Sequence, residues 1–175
     1  MYIRILNEAD AKKYQEVRLS ALKNNPESFG STYERELEFS YELVAERIKP
    51  AKDKFVLGAF NDVNSLLGIV TFVREKERKF CHKGDVFGMY VKAEYRRLGL
   101  GRSLMNRLIK EAKKCGGLEQ IRLTVVSNND SAKKLYQSIG FEVYGVEKNA
   151  IKYHNQYFDE DLMVLYTNES RTLQS

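Results

Sequence analysis

The chain has 175 residues, a length that suits one domain, since domains usually hold about 100–200 residues. Hydrophobic residues make up 43% of it and charged residues 30%, and these ordinary values exclude a disordered chain. The net charge of +5 suits an anionic ligand or a nucleic acid equally. The longest nearly apolar run, Leu66–Val73, is far shorter than the ~20 residues of a membrane span, so we expect no membrane partner.

The cysteine content favours a reducing compartment. Cys81 and Cys115 lie far apart and form no CxxC spacing, so we expect neither a disulfide nor a cysteine-based metal site. The first residues turn acidic too early for a signal peptide. Together these features predict a cytoplasmic location with two reduced thiols.

The first fifty residues predict one strand, two helices and a long loop. Asn7 is the expected cap of the first helix, because its side chain can accept from a free N–H of the first turn. Pro26 ends that helix, since the residue before a proline is pushed out of the α region. In chain order we predict a strand at Tyr2–Leu6, a helix at about Ala9–Lys23, a loop at Pro26–Glu38 and a helix at about Tyr41–Ile48.

The remainder alternates predicted strands and helices. Leu100, Leu104 and Leu108 repeat every four residues, which is typical of the apolar stripe of a helix. The expected elements are strands at Phe55–Phe60, Leu66–Val73 and Asp85–Lys92, a helix over 99–115, a strand at Ile121–Val126, a helix from the cap Asn129 to Ser138, and strands at Phe141–Val146 and Tyr157–Tyr166.

This order predicts an α/β fold, with a single mixed sheet flanked by helices. The strand at 85–92, the helix at 99–115 and the strand at 121–126 form one βαβ unit, whose two strands should run parallel. We expect one domain over residues 1–166 and a polar C-terminal tail over 167–175.

The turn between the predicted strand at Asp85–Lys92 and the helix after it carries the strongest chemical signal. Gly99 and Gly101 allow main-chain N–H groups to approach an anion at a helix N-terminus. Three arginines surround them, at positions 96, 97 and 102. The segment fits neither a Walker A loop nor GxGxxG, which would need a third glycine. By itself a GxG turn serves packing about as often as ligand binding.

Two motifs together resemble one enzyme family. The segment Arg96-Arg97-Leu98-Gly99-Leu100-Gly101 resembles the [RQ]xxGx[GA] signature of the GNAT family of N-acetyltransferases. The segment Asn129–Phe141 resembles the family's NxxAxxLYxxxGF, and the likeness covers about residues 55–166. It implies the acyl-CoA N-acyltransferase fold, acetyl-CoA as cosubstrate, and acetyl transfer by direct attack of a primary amine from a small-molecule or peptide acceptor.

The resemblance also implies a cofactor site. Main-chain amides of the glycine turn would hold the pyrophosphate, with Arg96 and Arg102 as basic neighbours. Main-chain groups of the predicted strand at Asp85–Lys92 would bind the pantetheine arm like an added strand, and one of them would polarise the thioester. Asn129 would reach the arm, act as a helix cap, or do both. The cofactor-binding residues are thus Met89, Tyr90, Val91, Arg96, Arg97, Leu98, Gly99, Leu100, Gly101, Arg102 and Asn129.

The catalytic assignments follow from the same resemblance. Tyr136 would protonate the leaving thiolate, and the alternative is a core tyrosine that packs its helix on the sheet. Asp85 is the expected base, acting through a water, and His82 is the other nearby candidate, because histidine is a side-chain type suited to proton transfer near neutral pH. Both also suit solvated loop positions. The acids and aromatics of the segment 29–38 suit either an acceptor pocket or an ordinary surface loop.

Two other functions remain open from the sequence. A non-catalytic acyl-CoA-binding module would keep the glycine turn and lack a base. A nucleic-acid binder is suggested only by the net charge and by Arg74–Lys83, with no aromatic-basic pattern beside it, so we expect no nucleic-acid partner. Exposed final strands would allow a homodimer.

Overall fold

The computed structural model describes residues 1–167, which form one seven-stranded mixed sheet in the order β1-β2-β3-β4-β5-β7-β6. The strands are β1 (Tyr2–Ile5), β2 (Lys54–Phe60), β3 (Leu66–Arg74), β4 (Lys83–Val91), β5 (Gln120–Val126), β6 (Glu142–Tyr153) and β7 (Gln156–Tyr166). The helices are α1 (Ala11–Asn24), α2 (Tyr33–Leu37), α3 (Tyr41–Ile48), α4 (Leu100–Ala112) and α5 (Asp130–Gln137). The predicted α/β sheet with flanking helices is confirmed.

The helices cover both faces of the sheet. Leu104, Met105 and Leu108 of α4 are fully buried in one core, so the predicted apolar stripe is confirmed. On the other face, α1 and α3 pack on β2 and β3 through a second core that includes Val17 and Ile48. Asn7 caps the first turn, since its side chain accepts from Ala9 N at 3.0 Å.

Two predicted elements were wrong in extent. The expected loop at Pro26–Glu38 contains a single 3-10 turn and the short helix α2, which Thr32 caps by accepting from Arg35 N at 3.3 Å. The strand β6 continues well beyond Val146, because two register shifts and a φ of 55° at Asn149 interrupt its alternation without ending its pairing with β7.

The parallel strands of the predicted βαβ unit are confirmed, and their pairing is short. Only Lys83–Asp85 of β4 pair with β5, and β5 then continues antiparallel to β7 over its whole length. Past Asp85, β4 stays paired with β3 and separates from β5. This separation opens a cleft at the carboxyl ends of the two strands.

The described residues end at Thr167. The predicted tail at 167–175 lies outside the described residues except for Thr167, and the domain boundary at 166 stays a prediction. Among residues 1–167, no helix combines the length and the apolar character that crossing a membrane requires.

Candidate active site

The cleft between β4 and β5 consists of two chambers. The glycine-turn chamber, of about 560 Å³, is lined by residues 89–91, by the turn residues 96, 97 and 99–102, and by α5, whereas the predicted Leu98 is exposed and does not line it. The strand chamber, of about 240 Å³, is lined by residues 86–89, residues 123–126, Arg18 and Glu160. Both chambers share a set of wall residues, namely Ser28, Phe29, Met89, Asn129, Ala132 and Tyr136. A ligand in one chamber therefore meets a ligand in the other at this shared wall.

The glycine turn is built as an anion site. Arg97 and Gly99 both adopt left-handed backbone angles, with φ of 63° and 77°, and α4 begins directly afterwards. As far as residues 1–167 show, the main-chain N–H groups of residues 97–102 donate to no other protein group. Consecutive free N–H groups at the positive end of a helix dipole bind phosphate groups.

The two glycines meet different requirements. A Cβ added at Gly99 would meet no atom within 4 Å, but Gly99 needs its positive φ, which other residues adopt at a cost of roughly 1–2 kcal/mol. At Gly101 a Cβ would lie 3.2 Å from both Leu135 Cδ2 and Met89 Cε. Gly101 thus lets α4 approach α5 and β4 at the rim of the cleft.

The predicted basic residues line the glycine-turn chamber, but two of them already have partners. Arg96 Nε donates to the Val91 carbonyl oxygen at 2.9 Å, and its Nη2 donates to Asn25 Oδ1 at 3.0 Å. Arg102 Nη2 donates to Ser138 Oγ at 2.8 Å. These contacts fix both guanidinium groups beside the turn. Contact of either with a pyrophosphate stays a prediction.

The strand β4 offers main-chain groups to the cleft, as the pantetheine prediction requires. The edge of β4 that would face β5 is unpaired around Met89 because the two strands have separated. The Tyr90 side chain is directed to the other face, where its hydroxyl lies 3.2 Å from both Ser20 Oγ and Asn24 Nδ2. Only the main chain of Tyr90 is therefore available to a ligand in the cleft.

The helix α5 places two predicted residues on the shared wall. Asn129 Oδ1 caps the helix by accepting from Ala132 N at 3.1 Å, so its role as a cap and its place in the cleft coexist. Tyr136 is 7% exposed, and its ring meets Phe141 edge to face at 6.0 Å. Burial raises the pKa of Tyr136 to about 12, so its hydroxyl is protonated at neutral pH.

The predicted bases lie elsewhere. Asp85 accepts from Arg122 Nε at 2.8 Å and from Arg122 Nη2 at 2.7 Å, at the level where β4 and β5 still pair. Neither Asp85 nor His82 lines either chamber. The structure does not bring these two residues to Tyr136, and the role of Asp85 as base stays a prediction.

A carboxylate that the sequence reasoning missed lies in the strand chamber. Burial raises the pKa of Glu160, and Thr124 Oγ1 donates to its Oε1 at 3.2 Å. Glu160 is one of three consecutive acids on β7, a pattern typical of a solvent-exposed segment. No sequence signal identifies Glu160, because its place in the chamber follows from its pairing with Val126, the last residue of the buried strand β5.

The segment after α1 contributes to the same chamber, although not as a row of surface acids. Glu36 is buried and binds Arg18, whereas Glu34 and Glu38 are exposed. Burial raises the pKa of Glu36, but its hydrogen bonds and ion pair with Arg18 outweigh burial and hold it below its ordinary value. Phe29 lines both chambers. Within residues 1–167, no group of three acidic, histidine or cysteine side chains is placed to hold a metal ion.

The comparison with family models decides the family. The model described as "Acetyltransferase (GNAT) domain" matches residues 3–162. The chain belongs to the GNAT acetyltransferase family. The predicted family membership and fold are therefore confirmed.

Two curated relatives differ in how much of them is matched. The chain is 25% identical over 158 residues to an L-amino acid N-acetyltransferase of Escherichia coli K12, a match that covers 89% of this chain and 93% of that protein. It is 40% identical over 60 residues to N-alpha-acetyltransferase 50 of Danio rerio, a match that covers 34% of this chain and 36% of that protein. The second match thus spans about a third of its relative.

Solved structures of the family share the fold. A GNAT acetyltransferase from Streptococcus pneumoniae superposes with a TM-score of 0.83 at 24% identity, covering 94% of this chain and 98% of that chain. A putative acetyltransferase from Salmonella typhimurium, solved with acetyl-CoA, has a TM-score of 0.77 at 24% identity and covers 97% of this chain and 95% of that chain. At these identities the likeness shows the fold alone.

Proposed function

We propose that this GNAT protein transfers an acetyl group from acetyl-CoA to the primary amine of an acceptor by direct attack. One observation carries the proposal: the glycine turn with its unpartnered N–H groups opens, across Tyr136, into a second chamber that contains a carboxylate. One chamber suits an anionic carrier and the other a small amine. The two relatives named above are both N-acetyltransferases, which supports an amine as acceptor.

The residues of the glycine-turn chamber fit acetyl-CoA, which when bound supplies an activated acetyl group as a thioester. The N–H groups of residues 97–102 would hold the pyrophosphate, and Arg97 would add a charge, since its side chain has no ion pair within the described part of the chain. The free edge of β4 around Met89 would pair with the amides of the pantetheine arm.

The acceptor amine must lose a proton before it attacks. An alkylamine with a pKa of ~10.4 is neutral in about one molecule in 2,500 at pH 7, a deficit of roughly 4.6 kcal/mol. Glu160 lies in the strand chamber and its raised pKa makes it a better proton acceptor than an ordinary carboxylate. We propose Glu160 as a second candidate base beside Asp85, which would need a water chain to reach the cleft.

Tyr136 would act on the other side of the reaction. As the C–N bond forms and the C–S bond breaks, negative charge builds on sulfur at the shared wall. A phenol with a pKa of about 12 lies some 3.5 units above a thiol of ~8.5, so full proton transfer would be uphill by about 5 kcal/mol. Tyr136 is therefore proposed as a hydrogen-bond donor that stabilises the leaving thiolate, with its proton staying on the phenolic oxygen for most of the step.

The test is a panel of primary amines incubated with acetyl-CoA and the protein, with free thiol measured over time. We expect acetyl-CoA alone to raise Tm, because it binds only the folded state, and at least one amine to release coenzyme A. A rise in Tm without thiol release from any amine would favour the non-catalytic acyl-CoA-binding module, to which the ion pair of Asp85 with Arg122 lends some support. If acetyl-CoA does not raise Tm and no amine releases thiol, both functions are refuted.

Two broader expectations remain proposals. The edge strand β6 and its neighbour β7 expose apolar side chains, including Tyr144, Val146 and Tyr157, which would suit a homodimer. Light scattering at micromolar concentration would detect it. Cys81 and Cys115 are both free thiols, which is compatible with the proposed cytoplasmic location.

A further inference from the structure

The strand chamber contains a guanidinium group with one nitrogen left unused. The side chain of Arg18 in α1 is largely buried, with 11% of it exposed. Its Nε donates to Glu36 Oε2 at 3.1 Å and its Nη2 donates to Glu36 Oε1 at 2.9 Å. Its Nη1 is also buried, yet it has no hydrogen-bond partner anywhere in residues 1–167. Leaving such a donor without a partner costs about 1–3 kcal/mol, so a native site normally supplies one.

The position of Arg18 Nη1 indicates that its missing hydrogen-bond partner belongs to the acceptor substrate and not to the protein. Arg18 and Gly88 both line the strand chamber, and a Cβ built on Gly88 would lie 3.8 Å from Arg18 Nη1. Gly88 has a φ of 60°, and its missing side chain keeps the space beside the guanidinium open. Phe29 supports the other side of the group, with its ring centroid 4.8 Å from Arg18 Cζ.

The surrounding charges favour an oxygen ligand. The Glu36 carboxylate binds the Arg18 guanidinium, and Arg47 Nη1 lies 4.0 Å from the same carboxylate. Two positive guanidinium groups therefore share one negative carboxylate. The chamber wall also carries Glu160, whose carboxylate suits an ammonium group. A chamber of about 240 Å³ has room for roughly eight waters, which is the size of a single amino-acid unit.

We infer that Arg18 Nη1 binds a carbonyl or carboxylate oxygen carried on the same carbon as the reacting amine, and that the acceptor is therefore an α-amino acid or the first residue of a peptide. The inference rests on the proposed acetyl transfer and adds the acceptor class to it. Arg18 is the binding residue. Glu36 is a positioning residue that holds the guanidinium in place.

The test uses acceptors in matched sets that share a side chain. The sets are the twenty L-amino acids, their amides, glycine dipeptides that begin with the same residues, and the corresponding decarboxylated amines. Thiol release from acetyl-CoA gives kcat/KM for each. We expect kcat/KM for the amino acids, amides and dipeptides, which carry the oxygen, to exceed that for the corresponding decarboxylated amines by at least tenfold. A preference for free amino acids over dipeptides identifies the small-molecule source, and the reverse identifies a peptide.

Two variants separate this role from a structural one. In Arg18→Gln with Glu36→Gln, both charges are removed and the two amides can still hydrogen-bond, so the fold is retained and the preference should collapse to less than about threefold. In Glu36→Gln alone, Arg18 keeps its Nη1 but loses the carboxylate that holds it in place, so the preference should fall part of the way and stay above that of the double variant. The KM for acetyl-CoA should not change in either, since Arg18 does not line the glycine-turn chamber.

The outcomes distinguish this inference from the function on which it rests. Equal use of amines with and without the oxygen, or a preference that survives in the double variant, overturns the role of Arg18 and leaves the acetyltransferase proposal intact. Binding of acetyl-CoA without reaction of any α-amino compound also overturns it. Failure of acetyl-CoA to bind refutes the proposed function, and the inference with it.

Discussion

Replacement of Tyr136 by phenylalanine isolates one hydroxyl group at the shared wall. The ring and its edge-to-face contact with Phe141 are retained. Nothing in the described chain accepts from or donates to this hydroxyl, so no intramolecular hydrogen bond is lost. The free energy of unfolding should change by less than about 0.5 kcal/mol, the usual range where no packing or bond is removed.

The effect on turnover should be much larger. A hydrogen bond to a charged group is worth about 1.5–3 kcal/mol, and here the bond strengthens as charge builds on sulfur, so kcat should fall by roughly 10- to 150-fold. Affinity for acetyl-CoA should change less than about twofold, because the thioester sulfur carries little charge before the reaction.

The assay needs a rate that reports on the chemical step. Rapid-quench measurement of a single turnover separates acetyl transfer from product release, and calorimetry gives the affinity for acetyl-CoA. Tyr14→Phe is the matched control: Tyr14 is a partly buried tyrosine of the second core that does not line the cleft, so this variant should keep its turnover. A single-turnover rate within twofold of the unaltered protein would refute the hydrogen-bond role of Tyr136.

Three further predictions concern the turn, the base and an ion pair. Gly99→Ala should lower stability by about 1–2 kcal/mol, measured by urea unfolding, and weaken acetyl-CoA binding by calorimetry, because alanine resists a φ of 77°. Glu160→Gln should lower kcat/KM at least tenfold and remove the acid limb of the pH–rate profile, while Asp85→Asn should leave that limb in place; the opposite pattern would make Asp85 the base. The hydrogen bonds from Arg4 hold the pKa of Asp10 below its ordinary value, so this pair stabilises the fold above pH ~4 and its contribution is lost as the pH falls through the lowered pKa of the folded state. Asp10→Asn should therefore cost about 1 kcal/mol at pH 7 and flatten the acid side of the stability curve; an unchanged curve would contradict the assignment.

The sequence predicted those elements whose signals are local. The apolar stripe of α4, the cap at Asn129 and the glycines at 99 and 101 lie within a few residues of what they determine. The short helix α2 was missed because only five residues follow its cap, too few for a helical period. The end of β6 was missed because its bulges interrupt the alternation on which strand prediction depends.

The candidate site was predictable only in part. The residues of the glycine turn and α5 belong to motifs, and the structure brings them to one cleft. Arg18 and Glu160 are separated from each other by most of the chain, and only the folded structure places both in the strand chamber. The position of Asp85 within an ion pair also depends on Arg122, a partner in another strand.

The brevity of the β4–β5 ladder has a mechanical consequence. Only three residue pairs of β4 and β5 join the two halves of the sheet through their main chains, and beyond these pairs the halves are held together by the side chains of a common core. A long ligand laid along the free edge of β4 would act as the missing strand and brace the halves against each other. Binding of the ligand would then make the sheet more rigid, and slower amide hydrogen exchange near residues 83–85 would show that the ligand is bound.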